Sequence, residues 1–141
     1  MVESSSQFQY GAGVTECLAD IHNRKCCWVV LRIPEGTDSG AEIQNKGVSA
    51  GDDEADFANL KAELTNEHPR WVILDLHYVK NEVNNNKVLF VAYTPDGCTK
   101  MSTKFAYANH KEKVKAKITV AKELQINDID DFDRTKFIEE M

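Results

Sequence analysis

Residues 87 to 93 read KVLFVAY, a run in which every side chain after the lysine is apolar or aromatic. It is short, continuous and rich in β-branched and aromatic residues, which predicts a strand buried within a sheet. Thr94-Pro95-Asp96-Gly97 follows as a turn, with Pro95 fixing φ and Gly97 available for a positive φ. A buried strand needs neighbours and covering layers, so the rest of the chain is read for what supplies them.

Two runs supply neighbours. Residues 27 to 33 (CWVVLRI) and 71 to 78 (WVILDLHY) both read as strands. Pro34 to Gly40 is a turn region, and residues 41 to 46 are expected to pair back as a further strand. Residues 80 to 86 (KNEVNNN) have no apolar pattern and are expected to form a hairpin loop. Leu124 and Ile126 alternate with polar residues as a short final strand.

Helices fill the gaps. Val14, Cys17, Leu18 and Ile21 recur at helical spacing, predicting a helix over about 15–23. A second, capped by Asp53 or Asp56, carries Phe57, Leu60 and Leu64 to one side and ends by Pro69. A last helix starts at Asp133, with Phe132 stapled to Phe137, and buries Phe137, Ile138 and Met141. The order αββαββαβα implies an α/β (α+β type) fold, a central mixed sheet with helices on both faces. Residues 1–12 are polar and read as a mobile arm before one domain over 13–141.

The remaining helix is unusual. Asn109 offers an N-cap and Glu112, three residues on, completes a capping box. At about 100° per residue, Val114, Ile118 and Ala121 fall on one stripe expected to dock on the sheet. Lys111, Lys115 and Lys122 line one shoulder of that stripe, and Lys113 and Lys117 the other. Lys104 precedes the helix, with Phe105 and Tyr107 as candidate anchors. In a chain of net charge −6 this is the one concentrated positive surface, although a solvated helix face has the same pattern.

Several function classes fall away. The 141 residues suffice for one domain with its own core. No apolar run approaches the roughly 18 residues of a membrane span. The opening MVESSSQFQY lacks the basic start and apolar core of a secretory signal, so a cytoplasmic place is expected. An acidic chain lacks the broad positive field that nucleic-acid binding needs. Cys17, Cys26, Cys27 and Cys98 do not make a metal or redox spacing, and no two histidines pair at ligand spacing. No phosphate loop or nucleophile elbow is present, so neither catalysis nor a cofactor is expected.

Two blocks carry a family resemblance. Tyr93-Thr94-Pro95-Asp96 and Lys104-Phe105-Ala106-Tyr107-Ala108-Asn109-His110-Lys111 resemble the actin-depolymerising factor/cofilin homology domain. Phe57, Leu60, Leu64 and residues 69 to 75 resemble its second helix and following strand. The resemblance covers Val14 to the C-terminus and implies the ADF-homology (gelsolin-like) fold. It also implies a monomeric cytoskeletal protein that binds actin, ADP-bound monomers above all, and promotes filament disassembly.

Carried over by position, the resemblance implies a monomer-binding set of Lys100, Lys104, Lys111, Glu112 and Lys115. It implies a filament-side surface of Lys80, Lys87 and Glu139, and a phosphorylatable arm serine among Ser4, Ser5 and Ser6. Phosphoinositide headgroups are implied as competitors for the lysine surface. Two departures stand out. Ser102 replaces a second basic residue, with Lys100 as its substitute, and the last helix ends Glu139-Glu140-Met141 where members turn basic. Monomer binding is therefore expected to be kept, with weak filament binding and severing. Residues 95 to 98 and 122 to 126 also resemble glia maturation factor, which implies instead binding to the branch-nucleating actin-related-protein complex and removal of branches.

Overall fold

The computed structural model describes residues 9–34, 36–37, 39–49 and 51–141. The apolar runs become neighbouring strands β1 (Trp28–Arg32), β3 (Arg70–Lys80) and β4 (Val83–Tyr93). With β2 (Glu42–Gly47) and β5 (Lys122–Ile126) they form one sheet in the order β2-β1-β3-β4-β5. All pairings are antiparallel except β4 with β5, so the sheet is mixed, as the element order implies. The long stretch from Thr94 to Ala121 supplies the crossover that a parallel pair requires.

Alternation along the strands divides the core in two. Val29, Leu31, Trp71, Ile73, Phe90 and Ala92 face α1 (Val14–His22) and α3 (Met101–Lys115). Val30, Val72, Leu74, Leu89, Val91 and Tyr93 face α2 (Asp53–Lys61) and α4 (Arg134–Glu139). The second layer is aromatic. Phe132 and Phe137 stack edge-on with centroids 5.0 Å apart, the expected staple, and Phe57 lies 5.3 and 5.5 Å from them. Asp133 caps α4 by accepting from Lys136 N, also as expected.

Local signals fail in three places. The cap of α2 is Asp52, which accepts from Glu54 N and Ala55 N. Asp53 is instead the first helical residue, and Asp56 is buried and accepts from Ser49 Oγ at 2.8 Å. The expected loop over 80–86 shrinks to Asn81-Glu82, both left-handed with φ of 55° and 65°. Such a two-residue turn matches the twist of the strands it joins. Asn84, Asn85 and Asn86 therefore join the ladder opposite Val79, Tyr78 and His77, and Asn86 Nδ2 donates to buried Asp75. Gly97 is absent from the positive-φ glycines. What requires glycine there is space, because a Cβ would overlap the Asn66 carbonyl oxygen.

Ser4, Ser5 and Ser6 lie outside the described residues. At the arm's inner end, Gln9 O accepts from Ala41 N and Gly11 N donates to Ala41 O, a parallel bridge beside β2. Tyr10 Oη donates to Lys113 O at 2.7 Å, and Lys117 Nζ sits 4.7 Å from the Tyr10 ring centroid. Residues 9 to 11 are thus fastened to β2 and to the end of α3. No helix among the described residues is long and apolar enough to cross a membrane.

Candidate binding surface

The lysine helix begins nine residues earlier than its capping signal indicates. α3 runs from Met101 to Lys115, with Lys100 as an N-cap that makes no side-chain cap bond. Asn109 and Glu112 lie within it, so the capping box does not form. The buried stripe decides the matter. Ala106, Tyr107 and Val114 are buried at helical spacing, and docking that stripe on the sheet carries the helix back past Asn109. Lys104 is accordingly a helical residue. The helix stops at its C-cap Ala116, and Ile118 is buried beyond it. Ala121 is exposed rather than on a docking stripe, and Lys122 belongs to β5.

Of the two candidate anchors, Tyr107 is a core residue. Its ring lies 4.7 Å from that of Trp71, and its Oη accepts from Ile33 N at 2.9 Å and Arg70 Nη1 at 3.4 Å. Burial pushes its phenol pKa up. Phe105 points the other way and is 58% exposed. One turn earlier Met101 is also 58% exposed, a residue that sequence reasoning missed. The signal was its spacing of four from Phe105, visible only once the helix is known to start at Met101.

Lys100 and Lys104, likewise four residues apart, lie along one side of this apolar pair. Neither ammonium forms an ion pair among the described residues. Exposed Ser102 contributes a hydroxyl between them. Lys104 and Phe105 also line a cleft of about 370 Å³ between α3 and the sheet end, with Arg70, Thr94, Asp96 and Lys111.

The other half of α3 is chemically different. Lys111 Nζ lies 2.6 Å from Glu123 Oε2, and Lys115 Nζ lies 2.6 Å from Glu123 Oε1. Glu112, exposed on the same helix, is 3.8 and 3.3 Å from those ammoniums. Hydrogen bonds from Lys111 and Lys115 hold the Glu123 carboxyl below the usual carboxylate range, and the bond to Glu123 pushes the Lys115 ammonium up. Lys122 is occupied too, bonding Glu140 O at 2.7 Å. The positive ridge expected along the helix is thus largely neutralised from within.

Lys80 and Lys87 stand apart on the β3–β4 hairpin. Lys87 pairs with Leu76 in register, on the sheet face that α2 and α4 cover. Both lysines are exposed. Glu139 is exposed on α4, whose Arg134 is turned inward to Glu54 and the His77 carbonyl at 2.8 Å each. The structure therefore groups Lys100 and Lys104 with Met101 and Phe105. It groups Lys111, Glu112 and Lys115 around Glu123, and leaves Lys80, Lys87 and Glu139 on separate elements.

No curated protein matches the chain. Among solved structures it is similar to a cofilin of Streptomyces griseoflavus, with 21% identity and a TM-score of 0.81 over 95% of this chain and 96% of that one. Actin depolymerization factor 2 of Plasmodium berghei is 18% identical, with a TM-score of 0.83 over 99% of this chain and 97% of that one. Glia maturation factor of Caenorhabditis elegans is 20% identical, with a TM-score of 0.71 over 100% of both chains. At such identities these likenesses establish the fold. The sequence profile of the cofilin/tropomyosin-type actin-binding proteins matches residues 7–141, nearly the whole chain, and the protein therefore belongs to the cofilin/ADF family.

Proposed function

We propose that this protein binds actin monomers through the N-terminal half of α3 and promotes filament disassembly and turnover in the cytoplasm. The observation that carries this reading is the exposed apolar pair Met101 and Phe105 beside Lys100 and Lys104, whose ammoniums form no ion pair among the described residues. Apolar anchors that desolvate on contact supply affinity, and flanking lysines reach an acidic rim and steer the approach. Lys111, Glu112 and Lys115 extend the same face, and they meet the partner as members of an ion-pair cluster. ADP-bound monomers are the preferred form.

Filament contact is the weaker half of the proposal. Near the hairpin's tip the basic residues are Lys80 and Lys87, and Glu139 places an acid on α4. Phosphate on Ser4, Ser5 or Ser6 would set negative charge against an acidic partner and lower affinity. Phosphoinositide headgroups would compete for the lysines of α3, each worth roughly 1 kcal/mol near an anionic membrane.

The test is titration of the protein against ADP-loaded actin monomers, with Lys104→Glu run in parallel. Submicromolar binding that the substitution abolishes supports the reading, and no binding by either protein ends it. Strong co-sedimentation with filaments at physiological salt would contradict the weak filament contact. The internal pairing of Lys111 and Lys115 favours one other reading, binding to the branch-nucleating complex in the manner of glia maturation factor. Under that reading Lys104→Glu leaves binding to the complex nearly unchanged.

A further inference from the structure

The end of α3 and the start of β5 form a closed charge cluster. Each oxygen of Glu123 is committed to a different ammonium, Oε2 to Lys111 and Oε1 to Lys115, both at 2.6 Å. With Glu112 added, two carboxylates face two ammoniums and the local charge cancels. The three central side chains are only 26–30% exposed, against 69% for Glu112. Glu112 rides on the same helix as the lysines and is free to swing away from them. Glu123 cannot withdraw in that way, because its backbone is held in the sheet opposite Phe90.

We propose that Glu123 is an intramolecular competitor for Lys111 and Lys115, one that sets how tightly this face binds an acidic protein rim. An incoming carboxylate must displace Glu123 before it can use either lysine, so most of its gain is an exchange of one ion pair for another. Lys100 and Lys104, which form no ion pair among the described residues, face no such exchange. Within a single helix, Glu123 thereby assigns the electrostatic part of recognition to the N-terminal half. The same bonds depress the Glu123 carboxyl and raise the Lys115 ammonium, so the competitor stays charged at neutral pH. This inference rests on the actin reading for the identity of the rim, and on the ion-pair geometry alone for the competition.

Glu123→Gln keeps the side-chain shape and removes the charge. The matched control is Asp131→Asn, which removes one negative charge and releases Lys136 from its 2.8 Å ion pair away from α3. Each full-length protein is titrated at two ionic strengths against ADP-actin monomers and, separately, against a short polyglutamate peptide. Freeing two partly exposed lysines is expected to tighten both interactions about tenfold at low salt, with a steeper salt dependence. The control should stay within about twofold, the size expected of a surface charge paired to α4 and not to the lysines of α3.

The actin and polyglutamate arms separate two failures. If wild type does not bind actin, the proposed function falls, while the peptide still tests the competitor. Unchanged or weaker binding of Glu123→Gln to the peptide overturns the proposal, because Glu123 would then be idle or would be pre-arranging the lysines. An equal gain in Asp131→Asn overturns it as a net-charge effect.

Discussion

Both halves of α3 carry lysine, and the lysines differ in what they touch. From Met101 to Ala108, Lys104 has no ion pair among the described residues and stands beside Phe105 and Met101, whose apolar surfaces face outward. From Asn109 to Lys115, Lys111 and Lys115 each already hold a carboxylate oxygen of their own chain at 2.6 Å. Lysine count is therefore a poor guide to a binding face. What matters is the charge left after internal pairing, together with any apolar surface beside it.

The strongest test of this contrast is Lys104→Glu. It places a carboxylate opposite an acidic rim, where like charges cost several kcal/mol. Monomer affinity should fall by about a hundredfold or more, at about 1.4 kcal/mol per tenfold. Isothermal titration against ADP-actin checks this, and a loss under threefold would erase the distinction between the halves. Next in size is the double substitution Met101→Ala with Phe105→Ala. Truncating two central anchors is expected to cost about 2 kcal/mol or more, roughly thirtyfold in Kd. Its thermal midpoint should barely move, since both residues are exposed and surface changes stay within about 0.5 kcal/mol.

Lys111→Ala and Lys115→Ala, taken singly, sharpen the comparison from the other side. Each removes a lysine that Glu123 already occupies, so monomer Kd should change by less than about threefold. A drop as large as that of Lys104→Glu would show that the cluster opens freely on binding. The smallest effect is in pH. The folded Glu123 carboxyl sits below its unfolded value, so its contribution is complete at neutral pH and is lost as pH falls through the depressed folded value. Carboxyl NMR titration should show Glu123 titrating below ordinary glutamates, and returning toward them in Lys111→Met.

The chain's periodicities determined the order of elements and the mixed sheet with helices on both faces. Apolar runs such as KVLFVAY admit few other outcomes, because a short continuous run must be covered on both sides. Local capping was legible where one side chain serves its own next turn, as Asp133 does for α4. It misled where a plausible cap lay inside a longer helix, as at Asn109. A capping bond contributes about 1 kcal/mol, less than burying the stripe from Ala106 to Val114, so packing overrode it.

Which lysines remain available was decided by tertiary structure alone. Glu123 lies eight residues beyond Lys115, on a strand whose parallel pairing with β4 returns it beneath the helix. Sequence lists charges, and only the fold brings them within ion-pair distance. Phe105 and Tyr107, two residues apart and both aromatic, illustrate the same limit. Local signals put both ahead of the helix, and docking on Trp71 drew them into it and decided which became core and which became surface.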